Sequence, residues 1–190
     1  MKKIFIALLL FISTITLAQD KKSLEEGATK MYNYTVNAEY DKLLDITYPK
    51  IFTLIPKEKM LQAFESMVDN EQTTIKMLDE APNFKYGAIT KVEDGYYCII
   101  DHDLAMEMTF KEAIPKDQSE MVVNLMKKRL ETDKVIFDPE KNSITVHKRA
   151  QVIAIANKLS NNKWTYINND KNSPYVKMLL NESVRTKLGL

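Results

Sequence analysis

Residues able to carry chemistry concentrate in one stretch of the chain, Tyr96–Phe110. Its even positions are apolar except for His102, whereas its odd positions include Asp101, Asp103 and Glu107. Because side chains alternate between the two faces of a strand, the pattern predicts one apolar and one acidic face. His102 on the apolar face suits proton transfer near neutral pH, or a structural role with a backbone hydrogen bond.

The other candidates in this region have simple structural explanations. Asp101 and Asp103 lie roughly 6.5–7 Å apart along a strand, a spacing that can serve a cation or acid–base work. A solvated face of an antiparallel sheet is the commoner origin of such a row. Cys98 lies about 13 Å from His102 along the strand, too far for a thiolate–imidazole pair. His147 has no ligand-like neighbour, so we expect no metal site and no nucleophilic cysteine.

Composition excludes several classes of function. The chain has 190 residues, 27 basic and 26 acidic side chains, and a formal charge of +1. It lacks the basic surplus that drives nucleic-acid binding. Four glycines, one cysteine and two histidines do not supply a phosphate loop, an internal disulfide or a cysteine-rich metal centre. We therefore expect no cofactor.

The first 18 residues have the pattern of a secretory signal peptide. Lys2 and Lys3 precede an apolar run, and Thr16 and Ala18 occupy the small-residue positions before a cleavage site. The run is shorter than the roughly 20 residues of a membrane span. We expect residues 19–190 to form one exported, soluble domain, periplasmic or extracellular, without a stable membrane span. Removing two lysines leaves 25 bases against 26 acids, a charge of −1.

Helical spacing of apolar residues dominates the first part of this domain, and strand alternation follows it. Two capping boxes are predicted, at Ser23 with Glu26 and at Asp117 with Glu120. Asp94-Gly95 between two strand-like runs predicts a hairpin. The predicted helices are Ser23–Val36, Glu39–Ile46, Pro56–Asn70 and Asp117–Glu131, with helical segments from Ser173 to Leu188. The predicted strands are Thr73–Leu78, Tyr86–Val92, Tyr96–Phe110, Lys134–Asp138, Ser143–Lys148, Gln151–Ala156 and Trp164–Asn168.

This order predicts an α+β fold in which N-terminal helices pack on an antiparallel sheet. One helix is inserted between strands, and another closes the chain. The long strand Tyr96–Phe110 exceeds the usual five or six residues, so a bulge that reverses its alternation is an open alternative. The apolar segment Val152–Ala156 predicts a central strand covered on both faces.

The helical start through Asn70, the strand Tyr96–Phe110 and the final strand Trp164–Asn168 resemble the NTF2-like, or cystatin-like, cone superfamily. More loosely, the chain resembles small secreted proteins of Bacteroidetes. The first resemblance implies a strongly curved sheet that encloses a cavity beneath the N-terminal helices. The helix Asp117–Glu131 would be an insertion in that fold. Ketosteroid-isomerase-like members build an oxyanion hole from a tyrosine and acids in an apolar cavity.

We expect a non-catalytic protein that binds a small apolar ligand, or an interaction module of the cell envelope. The residues expected to line the ligand cavity are His102, Leu104, Met106, Phe64 and Tyr32. The alternative is a cofactor-free isomerase or lyase of the ketosteroid-isomerase type that uses His102. Expected partners are the apolar ligand or an envelope protein, and a homodimer is left open.

Overall fold

The computed structural model describes residues 21–171 and 173–190, so the predicted signal peptide lies outside the described residues. Helices group at the two ends of the described chain, with one helix between strands. Helix α1 comprises residues 21–36. The other helices are α2 (Tyr40–Asp45), α3 (Lys57–Val68), α4 (Ser119–Leu130), α5 (Tyr175–Leu179) and α6 (Glu182–Leu188), with 3-10 turns at Pro49–Thr53 and Lys158–Ser160.

Seven antiparallel strands form one sheet, whose two long central strands carry all the others. The strands are β1 (Thr73–Met77), β2 (Lys85–Tyr86), β3 (Thr90–Val92), β4 (Gly95–Phe110), β5 (Val135–Asp138), β6 (Ser143–Ala156) and β7 (Thr165–Asn168). Along the outer edge of β4 run β1, β2 and β3, while β5 and β7 share the outer edge of β6. The sheet does not close on itself, so the α+β class is confirmed and the cone is not.

The pairing of β4 with β6 is continuous from Tyr96 opposite Ala156 to Thr109 opposite Ser143. No bulge interrupts this register, so the predicted alternation of β4 holds along its whole length. Ser143–Lys148 and Gln151–Ala156, predicted as separate strands, belong to the single strand β6. The hairpin at Asp94-Gly95 is confirmed, with a turn at residues 93–94 that joins β3 to β4.

Helices cover both faces of the sheet where β4 begins and β6 ends. On one face, Leu24 and Ala28 of α1 pack against Cys98 and Ile100. On the other, Val184 and further side chains of the C-terminal helices pack in a cluster with Tyr97, Ile153 and Ile155. This confirms the prediction of a strand covered on both sides. Each fully buried aliphatic side chain stabilises the fold by about 1.5–3 kcal/mol.

The opposite end of the two long strands is covered mainly on one face. Val122 and Met126 of α4 pack against Ile144 and Val146 of β6. The other face at this end carries the alternating polar residues of β4, among them Asp103 and Glu107, which are half-buried. The sheet therefore keeps a polar surface near its centre, and the candidate site lies there.

Both predicted capping boxes are wrong. Ser23 lies inside α1, which already includes residue 21. Gln118, not Asp117, is the N-cap of α4, and its side chain makes no capping hydrogen bond. Both errors arise because a Ser/Asp-x-x-Glu spacing is common in exposed helical turns and does not by itself stop a helix.

Candidate functional site

A cleft of about 630 Å³ lies at the middle of the two long strands. Four segments that are distant in sequence line it: the connection between β1 and β2, the middle of β4, the connection between α4 and β5, and the middle of β6. The lining residues are Glu80, Ala81, Asn83, Asp103, Leu104, Ala105, Glu131, Thr132, Lys134, His147, Lys148 and Arg149. The volume falls in the range of small-ligand sites, roughly 300–1,000 Å³.

Register brings an acid and a base together in this cleft. Asp103 of β4 and Arg149 of β6 are directly opposite each other, and the Arg149 guanidinium donates a 2.9 Å hydrogen bond to the Asp103 carboxylate. This hydrogen bond, with a second from Asn83, holds the pKa of Asp103 below its usual range. The side chains of Asp103 and Arg149 are 47% and 40% exposed, so both remain accessible to a ligand.

The β1–β2 connection is fastened to this pair. The Asn83 amide donates to Asp103 over 2.8 Å, and the Asn83 carbonyl accepts from Arg149 over 2.9 Å. The backbone of Asn83 has a φ of 43°, in the left-handed region that asparagine tolerates better than most residues. The Asp103 backbone N–H also donates to the Pro82 carbonyl. Together these bonds hold one wall of the cleft against its ion pair.

A second acid–base pair crosses β4 next to the first. His147 lies opposite Ala105, and its Nε2 is 3.8 Å from a carboxylate oxygen of Glu80. Ala105 has only a methyl group, so the Glu80 and His147 side chains can approach across β4. The pair is ionic only when the imidazole is protonated.

The connection between α4 and β5 is held to β6 by a hydroxyl. Thr132 donates a 2.7 Å hydrogen bond to the His147 carbonyl, and its oxygen accepts from the Lys134 backbone N–H. The Lys134 ammonium contributes to the lowered pKa of Asp103. The cleft thus presents carboxylates and cations close together, which suits a ligand with groups of both signs.

His102 lies outside the lining of this cleft and is 5% exposed. Its Nδ1 is 3.1 Å from the carbonyl oxygen of the next residue, Asp103. The rings of Tyr32 and Phe84 lie 5.9 and 6.0 Å from the imidazole. Burial among these rings lowers the pKa of His102. The imidazole is therefore neutral at pH 7.

The structure brings together only some of the predicted cavity residues. Tyr32 meets His102 edge-on and donates its hydroxyl to the Glu80 carbonyl over 2.8 Å. Leu104 lines the polar cleft. Met106 packs in the cluster beneath α4, and Phe64 of α3 lies against the Tyr40 ring. These last two residues are therefore in other parts of the molecule.

Cys98 is fully buried, and its thiol donates to the Gly87 carbonyl. Burial raises the pKa of the Cys98 thiol to about 11, so the thiolate is scarce at pH 7. Within residues 21–171 and 173–190, no group of three His, Cys, Asp or Glu side chains is placed to hold a metal ion. None of the helices in these same residues is long and apolar enough to cross a membrane.

Sequence reasoning did not find Glu80 or the pairing of Asp103 with Arg149. A signal for the pairing exists, because β4 and β6 are the two longest strand-like runs and each has polar residues at its middle. Pairing two such runs in an antiparallel register places those polar residues side by side. Glu80 lies in an irregular connection, and no periodic pattern marks it.

Comparison with known proteins adds no relative from which a role could be transferred. No family model matches the chain, and no curated protein matches it at a significant level. The assignment of a function therefore rests on the geometry of the cleft.

Proposed function

We propose that the chain is an exported, non-catalytic binding protein that holds a small polar ligand in the cleft between β4 and β6. The observation that carries this proposal is the convergence of two acid–base pairs, Asp103 with Arg149 and Glu80 with His147, on a cavity of ligand size. Export is supported by the signal-peptide pattern of residues 1–18.

The chemistry of the lining favours a ligand that carries both an anionic and a cationic group, such as a free amino acid or a short peptide. Arg149 and Lys134 suit a carboxylate, and the fork of a guanidinium can bind it through two hydrogen bonds. Glu80 and Asp103 suit an ammonium group. In the empty cleft the acidic and basic side chains neutralise each other. A ligand of this class would replace these internal ion pairs by equivalent bonds to its own charged groups.

Calorimetric titration of the mature protein with a panel of amino acids, dipeptides, dicarboxylates, neutral sugars and fatty acids tests the proposal. We expect zwitterions to bind, and Arg149→Gln to weaken their binding by about tenfold or more, the effect of about 1.4 kcal/mol. Lys111→Gln is the matched control, because Lys111 forms a similar surface ion pair with Asp69 and does not line the cleft. Equal effects of the two substitutions would contradict the proposal.

The same panel addresses the apolar ligand that the sequence predicts. Selective binding of the fatty acid, unaffected by Arg149→Gln, would favour an apolar site beneath α1 over the polar cleft. The isomerase alternative stays a prediction about His102. It requires catalysed proton exchange that His102→Gln abolishes, together with substrate access to an imidazole that is 5% exposed.

A further inference from the structure

The strand β5 forms an edge of the sheet and is unusually open to pairing. It pairs with β6 on one side, and no strand of the described chain lies on its other side. Ile136 at its middle is 66% exposed. Exposed edge strands commonly carry a proline, a bulge or a central charge that prevents pairing with another chain. The apolar centre of β5 has none of these.

The hydrogen-bond phase of β5 shows which groups face outward. The His147 N–H donates to the Lys134 carbonyl over 3.0 Å, which makes these two residues a hydrogen-bonded pair. Bonded and non-bonded pairs alternate along antiparallel strands. The backbone of Ile136 therefore turns toward β6, and the backbones of Val135 and Phe137 turn toward the open edge. The Val135 N–H already donates to the Asp133 carbonyl, which leaves its own carbonyl available at that edge.

We infer that β5 pairs with β5 of a second copy of this chain, antiparallel and around a two-fold axis at Ile136. The segment from Lys134 to Asp138 reads Lys-Val-Ile-Phe-Asp and is complementary to its own reverse. Antiparallel pairing centred on Ile136 places Lys134 opposite Asp138 of the second copy and Val135 opposite Phe137. The two Ile136 side chains meet at the axis, and the Phe137 N–H groups donate to the Val135 carbonyls.

Each of these pairs is a favourable cross-strand combination. Opposite charges and pairs of aromatic with β-branched residues stabilise antiparallel strands. Because of the two-fold symmetry, the pair of Lys134 with Asp138 forms once at each end of the two strands. An unrelated edge strand lacks this matching pattern of charges, so the arrangement favours a second copy of the chain. Asp138 accepts turn N–H bonds through Oδ1, and its Oδ2, 4.0 Å from the Lys141 ammonium, is the atom that would meet Lys134 of the second copy.

An apolar groove beside this edge adds contact area. The groove has a volume of about 520 Å³ and includes Val123 of α4 together with Phe137 and Pro139. Val135 and Phe137 lie on the α4 side of the sheet, where Val135 is buried in the cluster beneath that helix. In the pair of strands, Phe137 of the second copy lies opposite Val135, on the same face of the sheet as the groove. The interface thus buries the exposed Ile136 and part of an open apolar surface.

Sedimentation velocity of the mature chain at about 1–300 μM tests this dimer, because these concentrations span the dissociation constants of small interfaces. We expect a monomer–dimer equilibrium. Ile136→Lys should raise the dissociation constant of the dimer by about tenfold or more, because two like charges would then face each other at the axis. Leu159→Lys is the matched control, since Leu159 is similarly exposed at 58% and lies in the 3-10 turn that follows the end of β6, whereas β5 pairs with the beginning of β6. It should leave the equilibrium unchanged.

Charge reversal provides a second test that does not depend on Ile136. Lys134→Glu and Asp138→Lys should each weaken self-association, because each brings like charges together twice. An equimolar mixture of the two variants should recover the dimer, because both charge pairs are then attractive again. A chain that is monomeric throughout, a dimer insensitive to Ile136→Lys, or a mixture that stays monomeric would overturn the inference. The inference would also be overturned if the backbone amides of β5 were protected from hydrogen exchange only when a different protein is added, and not by self-association.

Discussion

Replacing Gly27 by alanine should destabilise this protein, although a glycine-to-alanine change in an ordinary helix interior stabilises the helix by about 1 kcal/mol. Gly27 lies in α1 where the helix approaches β7. A Cβ atom at this position would lie 2.2 Å from the hydroxyl oxygen of Tyr166 and 3.1 Å from the ring carbon that carries it. The first distance is far inside van der Waals contact, so either the helix or the tyrosine must move.

The tyrosine cannot move without loss. Tyr166 is buried, and its hydroxyl donates a 3.0 Å hydrogen bond to the Leu24 carbonyl. Displacing the ring breaks this bond and leaves buried polar groups unpaired, at a cost of about 1–3 kcal/mol. Overpacking of the surrounding core adds about 1–3 kcal/mol. After the gain in helix propensity of about 1 kcal/mol, Gly27→Ala should lower the unfolding free energy by about 1–5 kcal/mol. The middle of that range, about 3 kcal/mol, corresponds to a fall in melting temperature of about 6–12 °C.

A double-mutant cycle measured by urea unfolding tests this reasoning. Tyr166→Phe alone should cost about 1 kcal/mol, because it removes the hydrogen bond from the tyrosine hydroxyl to the Leu24 carbonyl. With the hydroxyl removed, the nearest ring atom is 3.1 Å from the new methyl group, a contact that small shifts relieve. Gly27→Ala should then cost little, giving a coupling energy of about 2 kcal/mol. Stabilisation by Gly27→Ala in the wild type, or additive effects, would refute the close approach of α1 to β7.

Three further predictions concern titratable groups. Burial lowers the pKa of His102, so the imidazole is protonated at a higher pH in the unfolded chain than in the folded one. The unfolding free energy should therefore fall as the pH drops below about 6.5, and it should fall less in His102→Gln. An equal change of the urea midpoint between pH 7 and 5 in the two proteins would contradict this. Cys98, with its pKa raised to about 11, should resist a thiol reagent until urea unfolds the chain, and rapid labelling of the native protein would count against its burial. Arg149→Gln should raise the pKa of Asp103 toward the ordinary aspartate value, as measured by a carboxyl-carbon NMR titration. An unchanged pKa would show that Arg149 does not pair with Asp103 in solution.

Local patterns were sufficient to predict most of the strands and helices. The alternation of β4 and the apolar run of β6 follow directly from burial on one or both faces, and Asp94-Gly95 marked its hairpin. The boundaries of α1 and α4 were less predictable, since capping sequences also occur inside helices. The cone with a strongly curved sheet was implied by the resemblance to the NTF2-like superfamily, whereas the order of elements predicted only the α+β class and does not determine how far a sheet curves or closes.

The candidate site was harder to predict than the fold. Asp103 and His147 were singled out from sequence, yet each was considered within its own strand. Their partners, Arg149 and Glu80, lie 46 residues away in β6 and 67 residues away in an irregular connection. The contact of Asp103 with Arg149 requires two distant runs to be paired in the correct register, and the contact of His147 with Glu80 depends on the path of a loop, which has no periodic sequence pattern.

The cleft between β4 and β6 is the proposed binding site of a small polar ligand. The most direct measurement is amide chemical-shift mapping by NMR during titration of the mature protein with the best zwitterion of the panel. We expect the largest shifts at Asp103, His147 and Arg149 and in the β1–β2 connection, and we expect these shifts to be lost in Arg149→Gln. Shifts centred on the buried face beneath α1, around Tyr32 and His102, would contradict it.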